Sequence, residues 1–240
     1  MSNHRPRQNM DHERQANLMR LVRAASFSAS LSETELERVE RDLHERSFAT
    51  GGHVVWKGDP VEAWMVVVDG MVKVEAAAAD GRKTTLVGIT GGGWFGETAL
   101  LRGGHWHFDV IASRATTLGL LPRATFEWLL GSSIAFNRFL LDLVNARLWQ
   151  FMQRCEHLRF CEAGEHVAHC LGELFDERLY PGTTRRLPLS QEEVAQLAGI
   201  SRPTANRALH ELERLGVLSV AYGTVMVHDP QALQRLGSLH

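Results

Sequence analysis

The tightest constraint on this chain is a short stretch near its C-terminus, Ser190 to Leu209, SQEEVAQLAGISRPTANRAL. It opens on a helix-start signal: the Ser190 hydroxyl can accept from the Glu193 amide while the Glu193 carboxylate reaches back, a capping box. Apolar residues then fall at Val194, Ala198, Ile200, Ala205 and Ala208, with small Ala195 inside the first helix and Gly199 at a bend. Two helices crossing at a steep angle need small or apolar side chains at those places. Ser201 can cap the second helix, and Pro203 sits within its first turn, where a missing amide hydrogen costs little. Leu218–Ala221 and Thr224–Val227, divided by Tyr222-Gly223, read as a β-hairpin. The stretch therefore predicts a winged helix-turn-helix.

The polar residues of the second helix indicate what such a unit does. A recognition helix enters the major groove with its first residues against base edges, while the preceding helix and the wing meet phosphates. Arg202 and Arg207 are suited to guanine edges, Asn206 to adenine, and Thr204 to phosphate or a thymine methyl. Ser190, Gln191 and Ser201 complete the expected DNA-contacting set. The competing reading leaves the two arginines solvated or paired with Glu211 and Glu213, as surface charges usually are. The cap, the glycine turn, the matched apolar positions and the wing together favour DNA. A formal charge of -2 excludes a protein that coats nucleic acid or membrane through an overall basic field, but leaves room for a local basic face.

Upstream, the character changes twice. Residues from about 15 to 47 read as helical, with Ser32 as a cap ahead of Leu36, Val39 and Leu43. From Phe48 to about Leu121, short β-rich runs alternate with glycine turns, the mark of an antiparallel barrel or sandwich. From about Ser133 to Leu158, apolar residues follow a repeat near 3.5, which serves either an internal core or a coiled-coil seam. A helix of that length favours the seam and a homodimer, with Phe136, Leu140, Leu143, Val144, Leu148 and Phe151 at the interface. The expected architecture is α+β: a poorly ordered tail over 1–14, an antiparallel barrel or sandwich with flanking helices over 15–132, a dimerisation helix over 133–160, and a winged-helix DNA-binding domain over 161–240.

The chain has 240 residues, 44% of them hydrophobic, enough for two cores. The N-terminal stretch has no apolar signal-peptide region, and no run approaches the roughly 18 apolar residues of a membrane span. Cys155, Cys161 and Cys170, three in number and without CxxC spacing, fit reduced thiols in cytoplasm.

Lys57-Gly58-Asp59-Pro60, Val68-Asp69-Gly70-Met71-Val72-Lys73-Val74, Gly93-Trp94-Phe95-Gly96-Glu97 and Ile200-Ser201-Arg202-Pro203-Thr204-Ala205-Asn206-Arg207 resemble the CRP/FNR superfamily of bacterial transcription regulators over roughly residues 20 to 230. The resemblance implies an effector-sensing roll, a parallel dimer seam, binding to a near-palindromic operator and RNA polymerase as a partner. Pro203 stands where the family commonly has a glutamate, so the operator is expected to differ there.

The same resemblance bears on the effector. Glu97 would meet a ribose hydroxyl of cyclic AMP, but the loop Leu101 to Asp109 lacks the family's Arg-Ser pair, and burying a phosphate without a fixed cation costs several kcal/mol. The adenine-facing helix positions become Phe151 and Met152. Classical cyclic AMP is therefore disfavoured. An iron–sulfur cluster needs four cysteines and is excluded. His105 and His107, flanking Trp106 and near Phe108, are suited to a metal or haem iron, but also to a solvated surface. The candidate effector set is Gly96, Glu97, Thr98, His105, Trp106, His107, Phe151 and Met152, its ligand unknown. The alternatives are a metal- or haem-dependent sensor, a cupin-like enzyme using the roll, which offers only His53, His105 and His107, or a cyclic-nucleotide module of some other regulator.

Overall fold

The computed structural model describes residues 18–23, 25, 27–78, 80–81 and 83–238. The tail expected over 1–14 lies outside them. A helical stretch over 18–23 precedes α1 (Glu33–Asp42), whose capping box joins Ser32 to Glu35. The expected helix over 15–47 is thus broken, and His44–Phe48 forms strand β1 instead, paired along β8 (Thr116–Pro122). Tertiary pairing outweighs weak local propensity there.

Two antiparallel sheets build the roll. One has the order β1-β8-β3-β6 and the other β2-β7-β4-β5, with β2 His53–Val55, β3 Ala63–Asp69, β4 Val72–Ala77, β5 Lys83–Ile89, β6 Trp94–Phe95 and β7 Asp109–Ala112. Gly70 turns β3 into β4 at φ 91°, and a Cβ there would lie 2.6 Å from Thr116 Oγ1, so only glycine fits. Because β3 alternates its faces and Val66 pairs with Trp94, Trp64 and Trp94 emerge on the same side. Their rings stack at 4.0 Å, with Phe136 edge-on to Trp64 at 5.6 Å and Phe27 edge-on to Trp94 at 5.5 Å. These aromatics fasten the start of the long helix to the sheet.

After α2 (Glu97–Leu101) and α3 (Arg123–Ser132) comes the long helix α4 (Ile134–Phe160), capped by the Ser133 hydroxyl on the Phe136 amide. The winged-helix part follows: α5 (Ala163–Gly172), a 3-10 turn Glu173–Phe175, β9 (Arg186–Leu187), α6 (Gln191–Ala198), α7 (Arg202–Arg214), the hairpin β10 (Leu218–Ala221) and β11 (Thr224–Val227), and α8 (Pro230–Leu236). β9 adds a third strand to the wing, in the order β10-β11-β9. It has its own core, built on Val167, Leu171, Val194, Leu209 and Val225. Met71 of the roll joins that core rather than its own. Across the same boundary Arg114 pairs with Glu193 at 3.2 Å, Lys73 reaches Gln196 at 3.4 Å and the Gly182 amide donates to Gly91 O at 2.9 Å. No helix among the described residues is long and apolar enough to cross a membrane.

Candidate nucleic-acid interface and sensing core

The helix pair forms as its residues dictate. Ser190 Oγ accepts from the Glu193 amide at 3.2 Å, and Glu193 Oε2 accepts from the Ser190 amide at 2.7 Å. Gly199 closes α6 at φ 65°, a left-handed turn that glycine enters without strain. The Ser201 hydroxyl accepts from the Thr204 amide at 3.3 Å and starts α7. Ala205, Ala208, Leu209 and Leu212 face the core, which leaves Arg202, Pro203, Arg207 and His210 exposed on the opposite face.

Arg202 lies 3.8 Å from Glu192, both largely solvated; such a pair contributes little and gives way to a stronger acceptor. Glu213 is the brace of the reading unit. Its Oε1 accepts from the Val220 amide at 3.0 Å, tying α7 to the wing. That backbone bond first, then His210, holds the Glu213 carboxyl below its ordinary range. Ser190 and Glu193 sit beside Arg114 of the roll, while Gln191 is half-buried at the start of α6. Asn206 is partly covered, and its Oδ1 has no partner among the described residues.

The long helix carries two stripes, not one. Phe136, Leu140 and Leu143, expected at a dimer seam, are buried in the chain's own core, 0%, 4% and 5% exposed. Displaced by one residue, Leu141, Val144, Leu148, Phe151 and Leu158 stay in solvent, with Leu141, Leu148 and Phe151 at 71%, 55% and 64%. The inward stripe continues as polar residues, Arg147, Gln150, Arg154 and His157.

Of the candidate effector residues, Gly96, Glu97 and Trp106 lie together: Gly96 takes φ 101°, and a Cβ there would come within 3.1 Å of the Trp106 ring. Thr98, His105 and His107 are exposed, and Phe151 and Met152 remain on the outer face of α4. The geometry therefore does not gather the full set. Among the described residues no group of three His, Cys, Asp or Glu side chains is placed to hold a metal ion.

What sequence reasoning missed is Arg147. Its Nε lies 3.6 Å from buried Glu97 Oε1, while its terminal nitrogens donate to Trp94 O at 2.7 Å and the Tyr180 hydroxyl at 3.0 Å. Burial opposes the charge, but Tyr180 and Glu97 outweigh it and raise the guanidinium above its ordinary value. A cation in phase with Phe136, Leu140 and Leu143 was the available signal.

Together these features define a winged-helix DNA-binding protein joined to a roll of the cyclic-nucleotide-binding type. Comparison agrees: a cyclic nucleotide-binding domain model matches residues 45–133 and a Crp-like helix-turn-helix domain model matches residues 165–236. The Cyclic AMP receptor protein of Thermus thermophilus is 29% identical over 206 residues, 86% of this chain and 94% of its own. The CRP-like cAMP-activated global transcriptional regulator of Mycobacterium tuberculosis is 25% identical over 218 residues, covering 90% and 97%. Among solved structures, FixK2 from Bradyrhizobium japonicum shares the fold with a TM-score of 0.69 at 23% identity, covering 82% of this chain and 98% of that one. A CRP-family transcriptional regulator from Thermus thermophilus gives 0.59 at 26%, covering 80% and 96%. The chain belongs to the CRP/FNR superfamily of bacterial transcription regulators.

Proposed function

We propose that this regulator works as a homodimer that reads a near-palindromic operator, with Arg202 and Arg207 donating to base edges and Asn206, Thr204, Ser201, Ser190 and Gln191 positioning the helices on the duplex. The observation that carries this reading is the exposed arginine face of α7, held by two caps and braced to the wing through Glu213. A dimer doubles that face, and half-sites one helical turn apart follow from its symmetry. The seam is Leu141, Val144, Leu148, Phe151 and Leu158, spaced three, four, three and seven residues apart, in step with a coiled-coil repeat. Residues 15–132, 133–160 and 161–240 then serve as sensor, seam and reader, with RNA polymerase as a downstream partner.

The effector is not classical cyclic AMP, although relatives carry that name. Support comes from the cations near the roll: Arg102 is exposed, Arg114 is engaged by Glu193, Arg123 by Glu127 at 2.6 Å, and Arg147 by Glu97. Three of these four are committed to carboxylates and Arg102 is out in solvent, so none is held at a buried phosphate site. Footprinting on DNA upstream of the chain's own coding sequence, across a salt series, tests the reading. Protection that weakens steeply with salt supports it; its absence at low salt removes it. Calorimetry with cyclic AMP is expected to show no binding.

A further inference from the structure

We propose that three histidines at the junction of the long helix with the winged-helix domain form an acid-sensitive latch. His157 comes from the inward stripe of α4, His166 and His169 from α5, and all three are buried. The rings of His157 and His169 stack with centroids 3.7 Å apart and planes within 12°, and His166 lies 6.5 Å from His157. Two of the three rings bond across to other elements of the chain. His157 Nδ1 is 2.8 Å from Gln153 O on its own helix, and its Nε2 is 2.5 Å from Gly237 O just beyond α8. His166 Nε2 donates to Ala198 O at 2.8 Å, the last residue of α6. His169 Nε2 lies 3.2 Å from Glu173 Oε1, near it but outside hydrogen-bond geometry. Long helix, first domain helix, helix-turn-helix and C-terminal helix thus meet at one cluster.

The charges around it are unbalanced. Glu173 is the carboxylate at the cluster, and its Oε2 already takes Arg154 Nε at 2.6 Å. Arg154 also donates to the Leu86 carbonyl of β5, and Tyr180 contributes to its field from the connector. Cys170, with Sγ 3.8 Å from His166 Nε2, adds no negative charge, because burial pushes its thiol up to about 12. From α6 and α8 the rings meet the backbone carbonyls of Ala198 and Gly237. From α7, Glu211 faces Gly164 at the start of α5.

A neutral imidazole carries one N–H. His157 has both nitrogens against carbonyl oxygens, so a neutral ring leaves one of those two contacts without a proton. A further proton on His169 would set charge against the His157 ring at 3.7 Å. On His166 it would leave Nδ1–H buried without an acceptor among the described residues. Burial first, then the charges of His169, His157 and Arg154, hold His166 below its ordinary value despite the bond to Ala198. Acidification therefore forces charge onto buried His166, whose partners are the Ala198 carbonyl and a neutral thiol, and the latch loosens. Gly237 and Ala198 are released with it, and the reading unit loses its fixed pose on α4. Consequences for operator binding rest on the regulator reading; the latch itself does not.

Hydrogen exchange by mass spectrometry on the full chain, at pH 7.5 and 5.5 and corrected for intrinsic rates, tests this without DNA. Amides of Ala163–Gly172 and Pro230–Leu236 are expected to lose about tenfold or more of their protection in acid while those of β3 and β8 hold, a local opening. The double substitution His166→Gln and His169→Gln keeps a donor for Ala198 but cannot titrate, and should abolish the loss. An undiminished loss in that variant overturns the proposal, as does parallel loss in the roll. Should the variant not fold, ring-proton NMR of the unaltered chain decides: coupled titrations support the latch, and three independent ones at the free-histidine midpoint overturn it.

Discussion

Arg147 and Glu97 approach to 3.6 Å where the long helix crosses the roll. Glu97 Oε2 has no hydrogen-bond partner among the described residues, so this carboxylate, 3% exposed, depends on the guanidinium for its charge balance. The same guanidinium holds Trp94 in the roll and Tyr180 in the connector to the reading unit. Arg147→Met should cost on the order of 3 kcal/mol in urea denaturation, because a buried carboxylate is left alone. Adding Glu97→Gln should restore part of that loss; a double variant no better than the single one would remove the ion pair as the cause.

Replacing Leu148 or Phe151 with glutamate should separate the dimer while each chain stays folded, since both side chains are exposed in the single chain. Operator affinity should fall by about 10²–10⁴ as the two reading units lose simultaneous engagement. Leu140→Ala makes the opposite case. Its side chain is buried in the intrachain core, so about 2–5 kcal/mol of fold stability should go, whatever the assembly. Sedimentation and thermal melting distinguish the two; a Leu148→Glu chain that sediments as a dimer refutes the outer seam.

On α7, Arg207 stands exposed with no ion pair among the described residues. Arg207→Ala should weaken binding to the selected operator and relax base preference at one position per half-site by about 1–3 kcal/mol. Arg202→Ala should act similarly at another position after release of Glu192. Selection of bound sequences from a random pool reads this directly. An unchanged preference at every position would assign Arg207 to phosphate contact alone.

The parts of this fold that local chemistry writes were legible before any coordinates. The capping box at Ser190, the left-handed Gly199 and the wing strands Leu218–Ala221 and Thr224–Val227 occur as their residues imply. What was not legible depends on neighbours. His44–Phe48 has no strand signal of its own and is extended because β8 offers it an edge. On α4, two apolar stripes lie one residue apart, so Leu140 and Leu141, or Leu143 and Val144, cannot be told apart by period alone. Only packing against Trp64, Phe27 and Phe126 decides which set turns inward. Arg147 was hidden for the same reason, since a cation becomes a core residue only when a carboxylate from another element arrives beside it.

Cys170 offers a check on that packing from a different direction. Its thiol is pushed from an ordinary 9.0 up to about 12, chiefly by burial, with Arg154 pulling the other way. At pH 8 its thiolate fraction should therefore be about a thousandfold below that of an ordinary thiol. Cys170 should alkylate only on denaturation. The sign for stability follows: the unfolded thiol ionises first, so this contribution is intact below pH 9 and drains away as pH rises from there toward 12. Cys170→Ala should show a shallower decline in melting temperature above pH 9 than the unaltered chain. Rapid labelling of Cys170 in the native state would mean that the interface between α5 and α6, which buries it against Leu197, is open in solution.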